Sequence, residues 1–233
     1  MHSIVGPRTG GWHHTISLYV VPLSLLTLAA VALFVDLPVA KWVSRNRPPS
    51  LLREVFDATE TFGHGVGAVC IIAVIWTLDA RRHAAGIGLF AASIGSGLVA
   101  DGVKLLIGRQ RPRAFTFVTD NVFDTFGALL PSPAANSQSF PSAHAATAVG
   151  LAVGLFALYP RGRWLFGAFA VLACLSRVAV SAHFVSDVFV GAAIGWLVGQ
   201  LCVRWRFQFS PRLQQEGFSR AYHAASDVNN AAA

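Results

Sequence analysis

The chain has 233 residues, of which 54% are hydrophobic and only 12% charged, and its mean hydropathy is +0.55. Soluble domains carry about 25% charged residues, so this composition excludes an ordinary soluble protein and places the chain in a bilayer. The net charge of +7 then belongs to membrane topology and anionic head groups, not to nucleic acid, which is excluded as a partner.

A helix that crosses a bilayer needs about 20 mostly apolar residues. Six segments meet or approach that length: 15–35, 63–78, 84–107, 143–159, 164–182 and 185–203. The first has an apolar core too long for a secretory signal peptide, despite the small residue Ala40, and is read as a helix. Residues 36–62 follow with mixed charge, and Arg47-Pro48-Pro49-Ser50 interrupts any helix there. Leu51–Thr61 then shows apolar and acidic residues at helical spacing, as in a helix lying along the interface. The second segment is short and rich in glycine (Gly63, Gly65, Gly67).

The connections at 79–83 and 160–163 are very short and carry Arg81, Arg82, Arg161 and Arg163. The loop at 108–141 is the longest, and residues 207–233 read as a polar, flexible tail. Cys70, Cys174 and Cys202 lie in apolar runs and match no metal or disulfide spacing. The expected fold is all-α: a polytopic membrane bundle of about six helices in one domain, 1–233.

Six crossings put both termini on one side of the membrane. Lys and Arg divide evenly between the two sides. Setting aside Lys104, Arg111 and Arg177 as chemical groups, and weighting short loops, sends the termini to the cytoplasm.

Three blocks carry chemistry: Lys104-x6-Arg111-Pro112, Pro141-Ser142-Ala143-His144 and Ser176-Arg177-x5-His183-x3-Asp187. They fall at the end of the third crossing, the start of the fourth, and the junction of the fifth and sixth. An up-down path brings all three to the face opposite the termini. Three cations, two histidines and a carboxylate suit the transfer of a phosphoryl group to a nitrogen nucleophile. Ionisable groups at membrane depth are costly and usually functional.

Spacing adds detail. Lys104 and Arg111 lie nearly two helical turns apart, and Pro112 ends that run. His183 and Asp187 are one turn apart, so the carboxylate is expected to accept the proton of one ring nitrogen and free the other for attack. Arg177 and His183 would diverge on a straight helix, which implies a break near Ser181-Ala182. Pro141-Ser142 reads as a helix start that offers the amides of Ala143 and His144 to an anion.

Each fragment alone has a structural alternative. Lys104 fits a snorkelling helix end, Arg109, Arg111 and Arg113 an interfacial anchor, His144 a buried histidine, and His183 with Asp187 an intrahelical pair. Their agreement in topology argues for one site. His64 and Glu60 fall on the same face, either bordering a head-group pocket or, as preferred, in an interfacial structural role. His13 and His14 lie on the other face.

Together these blocks resemble the signature of the type 2 phosphatidic acid phosphatase (PAP2) superfamily, in its six-helix membrane branch. The match spans residues 104–187 and departs at one position, Ala143, where the family usually has Gly. The resemblance implies that His183 is the nucleophile, forming a phosphohistidine oriented by Asp187. His144 would protonate the departing oxygen and then activate water. Lys104, Arg111 and Arg177, with Ser142 and the Ala143 amide, would clamp the phosphoryl oxygens without metal or other cofactor. The expected substrate is a phosphorylated lipid: undecaprenyl diphosphate, phosphatidylglycerol phosphate, phosphatidic acid or a lipid A phosphate, the first two placed ahead. The expected location is a bacterial cytoplasmic membrane, with the site on its outer face. A phosphotransferase using the same site, and a binder or transporter of anionic lipid, stand as alternatives. Oligomeric state is not readable from the sequence.

Overall fold

The computed structural model describes residues 11–46, 48–79, 83–129 and 135–209. Arg8, Arg47, Arg81, Arg82 and the tail from residue 210 lie outside the described residues.

The first apolar run becomes helix α1, Gly11–Arg45, which continues well past the expected 15–35. It passes through Asp36, whose carboxylate is buried and paired rather than exposed as a helix stop. Pro49 is the N-cap of α2 (Ser50–Gly63), and His64, in extended conformation, separates α2 from α3 (Gly65–Leu78). The two helices meet at 70°. Glycine makes that bend possible: a Cβ on Gly67 would fall 2.0 Å from the Thr61 carbonyl oxygen. The segment expected along the interface is therefore α2, and it packs on later helices of the bundle.

The third run forms α4 (His83–Phe90), one π turn at Ala91–Gly95, and α5 (Ser96–Lys104). The long loop holds a small antiparallel pair, β1 (Ile107–Arg109) and β2 (Phe126–Leu129), with Arg109 opposite Phe126. Strands of three and four residues are too short to show an alternating pattern, so the sequence read as loop. The last three helices are α6 (Ala143–Leu158), α7 (Arg163–Ala179) and α8 (Val185–Phe209).

Among the described residues, four helices are long and apolar enough to cross a bilayer, and five spans result if the bent α2–α3 pair counts as one. The expected sixth is α6, whose 16 residues give only about 24 Å of length. It is surrounded by protein, with Ala145 to Ala148 and Gly150 to Leu155 buried, so it has little lipid-facing surface to match to a bilayer. Small residues let α8 approach it closely. A Cβ on Gly191 would lie 2.2 Å from the Ser142 carbonyl oxygen, and one on Gly195 would lie 2.4 Å from that of Ala146. This four-residue stripe is how helices associate without a hydrophobic driving force between them. Leu23, Phe34, Leu98, Val171 and Leu201 stay exposed on the outside, as lipid-facing positions require.

Candidate active site

The three blocks converge at one end of α6. The Arg113 amide donates to the Ser181 carbonyl at 3.1 Å, joining the first block to the third. The Ser142 amide donates to the Asp187 carbonyl at 3.0 Å, joining the second to the third. Ser142 caps α6, its Oγ accepting from the Ala145 amide at 3.4 Å, which leaves the Ala143 and His144 amides at the open helix end. Ala143 does not have a positive φ. The backbone there does not demand glycine, and its methyl group is the only change from the familiar pattern.

The expected break between Arg177 and His183 is present. α7 ends at Ala179, and Ser181 takes φ 53°, a left-handed conformation that costs a non-glycine residue about 1–3 kcal/mol. The turn brings the Ala182 and His183 amides back onto the Arg177 carbonyl, at 3.0 and 3.2 Å. Six residues of sequence are thereby folded into one corner.

His183 is 3% exposed, and its Nδ1 lies 2.7 Å from the Ser139 carbonyl oxygen. A carbonyl only accepts, so Nδ1 carries the proton and Nε2 keeps its lone pair. Burial, followed by the cations Arg111 and Lys104, holds the imidazole well below its ordinary pKa, in its neutral form.

Asp187 corrects the sequence reading. Its Oδ2 is 3.9 Å from His183 Nδ1, beyond hydrogen-bond distance. It accepts instead from Ser139 Oγ at 2.6 Å, the Phe184 amide at 2.9 Å and Arg109 Nη1. Asp187 therefore reaches His183 through Ser139, whose hydroxyl it holds and whose carbonyl holds the ring.

Arg109, read as an interfacial anchor, is fully buried at the centre of this network. Its Nε donates to Thr125 at 2.9 Å, Nη1 to Ser186 at 2.7 Å and Nη2 to Asp36 at 2.8 Å. The guanidinium lies between the rings of Phe126 and Phe184, 4.5 and 4.1 Å from their centroids. Asp36 and Ser139 were also missed. Asp36, one carboxylate at the end of an apolar run, was a usable signal; the fused pattern of Arg109 beside Arg111 hid the division of labour between them.

The three cations expected to clamp a phosphate differ in their partners. Lys104 Nζ is 2.8 Å from Asp101, and Arg177 Nη2 is 2.7 Å from Glu60. The Arg111 Nε is buried with no hydrogen-bond partner among the described residues, an unmet donor of the kind an anion satisfies. Desolvation and the neighbouring Arg113 lower its pKa, which adds to the same demand for negative charge. Glu60, given an interfacial structural role from sequence, instead faces the site, with Oε1 3.9 Å from His144 Nε2. His64 is beside it, its ring 5.6 Å from that of His144.

A family model described as the PAP2 superfamily matches residues 85–211. The lipid A 1-phosphatase of Rhizobium etli is 34% identical over 187 residues, covering 73% of this chain and 78% of that protein. One from Rhizobium johnstonii is 40% identical over 111 residues, covering 47% and 43%. The fold resembles the transmembrane PAP2-type phosphatidylglycerolphosphate phosphatase of Bacillus subtilis, with TM-score 0.54 and 20% identity over 81% of this chain and 97% of that one. It also resembles Aquifex aeolicus LpxE, with TM-score 0.56 and 21% identity over 73% and 95%. At these identities the two structures speak to the fold alone.

Proposed function

The chain belongs to the PAP2 superfamily and is a membrane phosphatase, and from that premise we propose a hydrolase of lipid phosphates that works through a phosphohistidine on His183. The observation that carries the proposal is the held imidazole. Its Nδ1 is committed to Ser139, which leaves Nε2 with the lone pair, and Arg111, an arginine with an unmet donor, is among the cations that act on the ring.

The steps balance as follows. The Nε2 lone pair attacks phosphorus, and the bond from phosphorus to the lipid oxygen breaks. His144 gives that oxygen its proton. Water then attacks the phosphohistidine and yields a proton to His144, releasing inorganic phosphate and restoring both histidines. Lys104, Arg111, Arg177 and the first amides of α6 neutralise the charge that builds on the equatorial oxygens. Those cations supply the electrostatic work for which other phosphatases use a metal, so the reading requires no cofactor.

The Rhizobium relatives move the lipid A 1-phosphate to the front of the substrate candidates, ahead of undecaprenyl diphosphate and phosphatidylglycerol phosphate, which the sequence had favoured. The exposed apolar belt supports a substrate whose tails stay in the bilayer while its phosphate enters the mouth at the start of α6. We place the enzyme in the cytoplasmic membrane with its termini inside and this mouth outside. The test is a phosphate-release panel over these lipids with detergent-purified protein in EDTA. Release abolished in His183→Ala supports the reading, and undiminished release in that variant overturns it.

A further inference from the structure

We propose that Glu60, while paired with Arg177, is a positioning residue for the leaving-group step through the counter-charge it presents to His144. The inference rests on the phosphatase reading above and assigns the bent helix pair a part in it.

The bond-breaking step demands a particular thing of His144: it must carry a proton and give it to a lipid oxygen. Its surroundings are mostly hostile to that charge. Arg177 from α7, Lys104 from α5, His64 from the bend and His183 from the corner all face it, and each is a cation or can become one. Glu60, from the last turn of α2, is the carboxylate in this group, with one oxygen 2.7 Å from Arg177 Nη2 and the other 3.9 Å from His144 Nε2. One carboxylate thus spans the clamp and the acid.

The approach is built into the chain. Gly63 lets α2 lie directly on the first turn of α6, since a Cβ there would sit 2.8 Å from the His144 carbonyl oxygen. Glu60, about one turn earlier, is delivered to the imidazole by that contact. When a phosphate takes up the Arg177 guanidinium, the Glu60 carboxylate keeps its place beside His144. An ion pair that merely fastened α2 to α7 would need the Arg177 contact and not the approach to His144.

The experiment compares two leaving groups in full-length, detergent-purified protein. A long-chain alkyl phosphate departs as an alkoxide and needs the proton; an aryl phosphate such as p-nitrophenyl phosphate departs as a stable phenolate and needs it far less. Glu60→Gln is expected to lower kcat for the alkyl substrate about 10-fold more than for the aryl one, a fraction of what a general acid contributes. Glu60→Asp should restore part of that difference, and Glu60→Gln combined with His144→Ala should be no slower on the alkyl substrate than His144→Ala alone. Equal losses on both substrates, with KM raised on both, would overturn the inference in favour of a mere fastening of Arg177. Additive losses in the double variant would overturn it too. If Glu60→Gln does not fold, the same substrate ratio is read from Glu60→Asp. Wild-type protein that releases no phosphate, or a His183→Ala variant as active as wild type, would instead sink the phosphatase reading itself.

Discussion

Replacing Arg109 with methionine tests whether a buried charge network holds His183 in place. The side chain is fully buried and is the shared cation of Asp36 and Asp187, both also fully buried. Methionine keeps much of the volume between Phe126 and Phe184 but strands both carboxylates. Removing one partner of a buried ion pair costs about 3–5 kcal/mol. At about 2–4 °C per kcal/mol for a chain of this size, Tm in detergent should fall by about 10 °C. Adding Asp36→Asn removes one stranded charge, so the double variant should recover part of the loss, with a coupling of about 1–3 kcal/mol. Activity should fall more than stability suggests. Asp187 fixes Ser139, and the Ser139 carbonyl fixes the His183 ring, so a displacement of about 1 Å there can cost about 100-fold in kcat. Thermal unfolding and phosphate release on the same preparations measure both effects. An Arg109→Met protein with Tm within about 2 °C of wild type and unchanged kcat would refute the reasoning.

Three further outcomes follow from the geometry. His144→Ala should slow hydrolysis of a lipid phosphate monoester by about 100-fold or more, and of a lipid diphosphate much less, because a phosphate leaving group needs little protonation; equal losses would remove the assignment. Because burial, Arg111 and Lys104 keep His183 neutral well below its ordinary pKa, the acid limb of kcat/KM should lie below pH ~6.5. Removing one of those cations in Lys104→Met should move that limb upward, as the pH profile of the residual activity would show. Gly195→Leu forces a side chain toward the Ala146 carbonyl, where even a Cβ lies 2.4 Å away, and should lower Tm by several degrees through overpacking of about 1–3 kcal/mol.

The parts of this protein that follow from local chemistry were open to reading in the sequence. Apolar runs of sufficient length marked α1, α4–α5, α7 and α8, because a bilayer imposes that length, whereas α6, surrounded by protein, is shorter than a span. The corner at Ser181 followed from the mismatch between a six-residue spacing and a helical period. What could not be read depends on partners distant in the chain. Asp36 meets Arg109 and Ser186 across more than seventy residues, and its place at the end of an apolar run marks it as unusual without naming those partners. Ser139 acts through a backbone carbonyl, for which side-chain identity carries no signal. Asp187 had the right spacing for a direct bond to His183, but α8 begins only at Val185, so His183 lies outside the helix and the one-turn geometry does not apply. Glu60 was visible beside His64, and only the packing of α2 on α6 and α7 turns it toward the site.

In the proposed mechanism the free nitrogen of His183 takes the phosphoryl group. His144→Ala protein, in which activation of water is impaired, should accumulate that intermediate when mixed with a lipid diphosphate. Quenched in alkali and digested for peptide mass mapping, it should show one added phosphoryl group on the peptide holding His183, absent in the His183→Ala combination. Rapid turnover with no phosphorylated peptide, or a phosphoryl group found on another residue, would rule out His183 as the nucleophile.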